Sequence, residues 1–176
     1  MRPFFKDILI GSIAALVLSV IFHLTLQQFI IQQISMIPTL VEGQRIFISK
    51  TAYLFHSPDR GDIIVFKTSQ NPSEIPLIKR VIGLPGETIE IRSGTVYVNN
   101  SPLNEPYIKD LPHYVLKPLT IENENYFVLG DNRNASKDSH EGWTVAEPNI
   151  VGKAWVSIWP PKTVGLFTDY AYAHEK

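Results

Sequence analysis

Hydrophobic positions along this chain change pattern once, near residue 27. Ile8 to Leu26 is an unbroken apolar run without Asp, Glu, Lys or Arg, and Ser12, Ser19, His23 and Thr25 are its only polar side chains. That is about the length a helix needs to cross the hydrocarbon core of a bilayer. Beyond it the apolar runs are short, β-branched or aromatic, and bounded by Gly, Pro or Asn. Arg45–Ser49 and Asp62–Phe66 read as strands, and Leu77–Ile82 alternates so that Leu77, Lys79 and Val81 share one face. Thr88–Arg92 and Thr95–Val98 flank Ser93-Gly94 and predict a hairpin. Asn125–Leu129 leads into Gly130-Asp131, and Ile150–Trp159 is a strand stopped by Pro160-Pro161. Residues 99–123, rich in Pro and Asn, read as a loop. No long amphipathic helix follows the first apolar run. The expected fold is mainly β, an antiparallel coiled sheet behind one N-terminal transmembrane helix.

The run is an anchor rather than a cleaved leader. A leader has a shorter apolar core and an Ala-x-Ala-like site after it, whereas Leu26-Gln27-Gln28-Phe29-Ile30 follows here. Arg2 and Lys6 precede it, so the positive-inside rule keeps residues 1–7 in the cytoplasm. Residues 8–26 then span the membrane, and residues 27–176 form one extracytoplasmic domain of modest core. The net charge of −1 and the lack of a basic run argue against nucleic acid as a partner. With no cysteine, disulfides and thiolate metal sites are excluded. Asp131, Asp138 and His140 do not make a calcium loop, because Arg133 stands where an oxygen ligand is needed. No metal or cofactor is implied, and the domain is expected to be a monomer.

Lys79 is the residue whose surroundings promise chemistry. In Pro-Leu-Ile-Lys-Arg-Val-Ile, residues 76–82, each cation has apolar neighbours on its own face. An ammonium group pressed against apolar side chains loses hydration, and its pKa falls. A lysine brought near neutrality can take the proton of a serine hydroxyl, as in Ser–Lys variants of the catalytic triad. A strand-edge lysine that snorkels to water is the ordinary alternative.

Four segments in order decide between these readings. Ser35-Met36-Ile37-Pro38-Thr39-Leu40, Arg60-Gly61-Asp62-Ile63-Ile64-Val65-Phe66, Lys79-Arg80-Val81-Ile82-Gly83-Leu84-Pro85-Gly86-Glu87 and Gly130-Asp131-Asn132-Arg133-Asn134-Ala135-Ser136-Lys137-Asp138-Ser139 follow a single anchor. In this the chain resembles the type I signal peptidases over roughly residues 8–166. The resemblance implies that Ser35 is the nucleophile and Lys79 the general base. The backbone N–H of Ser35 would be one oxyanion donor and Gln33, in place of the family's Ser or Gly, a second. Ser136 would hydrogen-bond and orient the Lys79 amine. Asp138 would organise its turn and pair with a cation; the family has Arg two residues later, where this chain has His140. The fold implied is again a coiled antiparallel sheet.

The same resemblance implies that the partners are preprotein signal peptides and the lipid bilayer, with cleavage after small residues of Ala-x-Ala type. Phe29–Gln33 would run along the membrane surface and receive the substrate as an added strand. Phe29, Ile31, Met36, Leu40, Leu77 and Ile78 are the candidate walls of shallow pockets. A plasma membrane is the expected location, with a thylakoid or an organelle inner membrane as alternatives. A self-cleaving repressor-type protease fits poorly with an anchor. A degenerate relative that only binds exported chains is the competing, non-enzymatic reading, kept open by Gln33 and His140.

Overall fold

A computed structural model of the chain describes residues 2–68 and 75–167, with side chains from Phe4 onward. Residues 168–176 of the expected catalytic domain, Met1 and the Arg2 side chain lie outside the described residues. Helix α1 (Arg2–Thr25) opens the chain. Phe4–Thr25 is long and apolar enough to cross a membrane, and none of it is buried against protein. At 1.5 Å per residue it reaches about 33 Å, close to the hydrocarbon thickness. The helix starts before the expected Ile8, because nothing between Phe4 and Ile8 breaks it and a proline is tolerated in a first turn. It ends one residue early. Thr25 bonds back to the Ile21 carbonyl at 2.8 Å, and Leu26 already pairs with Ser49.

The strands are β1 (Leu26–Ile30), β2 (Arg45–Ser49), β3 (Ile63–Phe66), β4 (Leu77–Gly83), β5 (Thr88–Arg92), β6 (Thr95–Val98), β7 (Ser101–Pro102), β8 (Leu116–Thr120), β9 (Asn125–Leu129), β10 (Val145–Ala146), β11 (Ile150–Trp159) and β12 (Gly165–Leu166). The larger sheet runs β1-β2-β11-β3-β4-β9-β10, with β12 on β11, and the smaller runs β7-β6-β5-β8. Both are antiparallel throughout. Register shifts interrupt β11 and β4, and such bulges add the twist that curls a sheet. The expected hairpin is β5–β6, turned by Ser93 and Gly94 at φ of 50° and 75°. Residues 99–123 are not simply a loop. They carry β7 and β8, which complete the smaller sheet by pairing with strands that the alternating pattern did reveal.

β3 shows how the core is built. Ile63 and Val65 enter one cluster with Ile31, Met36, Leu40 and Ile78, while Ile64 and Phe66 enter another with Val81 and Val128. A strand buried on both faces reads as a continuous apolar run, as this one does. A third cluster, centred on Ile82, Ile89, Ile91 and Phe127, joins the two sheets. The first cluster matters most for chemistry, because the segment that covers it carries Ser35.

Candidate active site

Ser35 sits in a run of turns between β1 and β2. The Leu40 N–H donates to the Met36 carbonyl at 2.8 Å, and Ile31 and Gln44 close the base of the loop at 2.9 Å. Met36 and Leu40 are fully buried in the first cluster and pin the loop from below. The Ile37–Pro38 bond is cis. Ser35 is itself buried, with 5% of its surface exposed.

Lys79 reaches the same point from β4, in the middle of the larger sheet. Only 1% of it is exposed. Its Nζ donates to Ser35 Oγ at 2.8 Å and to the Ile78 carbonyl at 3.0 Å. With the amine neutral, the same separation lets the hydroxyl donate instead. Burial lowers the Lys79 pKa to about 8, against the opposing pull of Asp138 and Asp131. The same-face neighbours of Lys79, Leu77 and Val81, are half-buried and fully buried, and Ser35 meets the amine from the loop between β1 and β2. Snorkelling to water is not what this lysine does.

Arg80 carries the other charge of β4 and is equally buried. It meets Asp131 in a bidentate pair at 2.9 and 2.7 Å, and Thr39 donates to the same carboxylate at 2.5 Å. Its guanidinium also lies 4.1 Å over the Tyr107 ring. One buried pair therefore joins the segment after Ser35, the segment around Lys79 and the loop from Gly130 to Ser139. The cost of taking both charges out of water offsets much of the attraction in such a pair, so its presence alone argues little for stability.

That last loop also grips the serine directly. The Asn132 N–H donates to the Ser35 carbonyl at 2.9 Å, and its side-chain amide donates to the Ile34 carbonyl at 3.1 Å. Gly130 lies so close that a methyl there would collide with the Ser35 carbonyl and the Ser136 hydroxyl. Asp138 is fully buried. One of its oxygens accepts the Gly130 N–H at 2.9 Å, and the other lies 2.6 Å from His140 Nδ1. Ser139 accepts the Val128 N–H at 3.0 Å and ties the loop to β9.

The other candidates divide. Ser136 is beside Gly130, but its hydroxyl is buried without a hydrogen-bond partner among the described residues, so the expected bond to Lys79 is not formed here. His140 does take the place of the family's Arg as the partner of Asp138. Gln33 is half-buried. Of the candidate pocket residues, Ile31, Met36, Leu40 and Ile78 are at most 2% exposed and belong to the core. They form a floor under the site rather than open walls. Phe29 packs on the edge of the same cluster, whereas Leu77 packs on the cluster across the sheet. The reason is periodicity: Leu77 and Ile78 are adjacent on a strand and point to opposite faces. Sequence reasoning missed Asn132, Thr39, Glu105 and Tyr107. The first two lay inside recognised segments, where side-chain partners have no local signal. The others lie in the stretch read as a loop.

The model of the family "Signal peptidase, peptidase S26" matches residues 4–159. A signal peptidase I from Leptolyngbya laminosa is 42% identical over 168 residues, which is 89% of this chain and 83% of that protein. The chain belongs to the signal peptidase family. Signal peptidase IB of Staphylococcus aureus strain MRSA252 is 31% identical, over 92% of this chain and 89% of its own length. The chloroplastic thylakoidal processing peptidase 1 of Arabidopsis thaliana is 33% identical over 92% of this chain, which spans 51% of that protein. As a member of the family the chain is a serine endopeptidase, a hydrolase. One of these relatives is by name a thylakoidal enzyme, and α1 is long and apolar enough for a single membrane span.

Proposed function

We propose that this protein removes N-terminal signal peptides from exported preproteins after small residues of Ala-x-Ala type, with Ser35 as nucleophile and Lys79 as general base. The 2.8 Å contact between a buried amine and a buried hydroxyl carries this reading. Neutral Lys79 takes the hydroxyl proton as Ser35 Oγ attacks the scissile carbonyl. The ammonium then gives its proton to the leaving amine as the C–N bond breaks, leaving an ester on Ser35. Water, deprotonated by Lys79, hydrolyses that acyl-enzyme. The Ser35 N–H, which has no acceptor among the described residues, is the first oxyanion donor. The Gln33 side chain, two residues upstream, is the second.

Substrate entry follows from topology. β1 is the outermost strand of the larger sheet and runs straight from α1 towards Ser35. An extended peptide pairs with it as an added strand. The packed floor of Ile31, Met36, Leu40 and Ile78 supports shallow pockets, and shallow pockets favour small side chains. Residues 1–7 lie in the cytoplasm, and the β domain lies on the far side of the plasma membrane. The test is cleavage of a model precursor by the full chain in detergent, with the mass of the new N-terminus read out. Cleavage after Ala-x-Ala by the wild type and none by Ser35→Ala is expected. Near-normal turnover by Ser35→Ala would remove the dyad. A wild type that neither cleaves nor takes an acyl label at Ser35 would favour the binding-only reading.

A further inference from the structure

A second run of contacts reaches the reacting pair from behind. The Tyr114 ring stacks on the His140 imidazole, with centroids 4.1 Å apart and planes 22° from parallel. His140 places Nδ1 at 2.6 Å and its backbone N–H at 3.2 Å from one oxygen of Asp138. The other oxygen of that buried carboxylate holds the Gly130 N–H at 2.9 Å, and Gly130 abuts the Ser35 carbonyl. The run is continuous from an aromatic ring to the nucleophile's own backbone.

The Tyr114 hydroxyl is buried and has no hydrogen-bond partner among the described residues. What the fold keeps here is the face of the ring. The segment that delivers it is tied to the Gly130–His140 loop at several other points. Arg133 pairs with Glu105, Asn134 bonds to His113 N–H and the Leu111 carbonyl at 2.9 Å each, and Lys109 N–H bonds to the Asp131 carbonyl at 3.0 Å. Such a strap holds a loop in one geometry, and a shift of about 1 Å at a reacting centre can cost roughly 100-fold in rate.

We propose that Tyr114 and His140 are a positioning pair that holds Asp138, and through it Gly130, in the place on which the Ser35–Lys79 geometry depends. This rests on the reading of Ser35 and Lys79 as the reacting residues. A guanidinium at position 140 stays charged at any working pH, whereas an imidazole needs its orientation held to keep donating to one carboxylate oxygen. The stack on Tyr114 supplies that orientation. The groups that face or act on this cluster are Asp138 and Tyr114 themselves, the Arg133–Glu105 pair behind Tyr114, and Lys79 and Asp131 beyond Asp138.

Removing the His140 donor leaves the Asp138 carboxylate less compensated, and that favours the ammonium form of Lys79. The loss of rate is therefore larger on the acid side of the pH profile. The test uses the full chain in detergent micelles, with precursor cleavage followed from neutral to alkaline pH. His140→Leu should lower kcat about 10-fold or more while KM stays within about twofold, and the acid limb should move upward. His140→Arg should restore kcat and the limb. Tyr114→Leu should lower kcat by about 3- to 10-fold, and Tyr114→Phe should keep it with no loss of heat stability. Wild-type kcat and profile in His140→Leu would overturn the proposal. So would a loss equal at every pH and not recovered by Arg, because that marks a fold defect alone. Activity in Ser35→Ala would instead overturn the reading of the reacting pair.

Discussion

Replacing Lys79 by Met separates catalysis from stability, because the lysine that the chemistry needs is one the fold would be better without. Its pKa falls from 10.5 to about 8 on folding, chiefly through burial. A shift of that size corresponds to about 3 kcal/mol. The sign follows from proton counting. Between pH 8 and 10.5 the unfolded chain holds the Lys79 proton and the folded chain does not, so the stability of the wild type rises with pH across that window. The penalty is fully present below pH 8 and shrinks to under about 1 kcal/mol by pH 10. Met fills similar space without charge. Lys79→Met should therefore be inactive at every pH, yet melt roughly 6–12 °C above the wild type at pH 7, since each kcal/mol moves Tm by about 2–4 °C in a chain of this size. Loss of the hydrogen bond to Ser35 Oγ trims this gain equally at both pH values. Thermal unfolding of the full chain in detergent, followed by tryptophan fluorescence at pH 7 and pH 10, gives the comparison. A Tm difference that does not shrink between those pH values would refute the claim that Lys79 is buried at the expense of its charge.

Two further substitutions probe how the segments are held together. Gly130→Ala puts a methyl against the Ser35 carbonyl and the Ser136 hydroxyl, and should lower kcat about 100-fold in a precursor-cleavage assay while the far-ultraviolet circular dichroism stays that of a β protein. Asp131→Asn leaves Arg80 buried without its counter-charge and should destabilise by about 3–5 kcal/mol, read as a fall in Tm. Because Asp131 raises the Lys79 pKa, whatever Asp131→Asn enzyme remains folded should show its acid limb at lower pH than the wild type, measured as kcat/KM against pH.

Much of this protein is legible one residue at a time. The apolar run that became α1, the period of two in β4, β5 and β6, the Gly-containing turn between the last two and the Pro-Pro stop after β11 are all local patterns. Local sterics and partitioning into or out of water are enough to set them. The burial of Lys79 does not belong here, because apolar neighbours along a strand fit a lysine that snorkels to water equally well, and only the packing of the Ser35 loop against β4 decides. The resemblance to a family then told which serine to watch, though not how far it lies from the amine. Contacts across the fold are a different matter. Nothing near residue 105, 107 or 114 announces that Glu105 meets Arg133, that Tyr107 lies under Arg80, or that Tyr114 stacks on His140. Residues 99–123 looked shapeless because β7 and β8 are short and are ordered by partners far along the chain. The candidate pocket residues were apolar as expected, but whether an apolar side chain lines an opening or fills the core depends on which sheet face meets which loop. That choice is made only when the segments pack, since the free energy of burial depends on what lies opposite a side chain and not on its place in the chain.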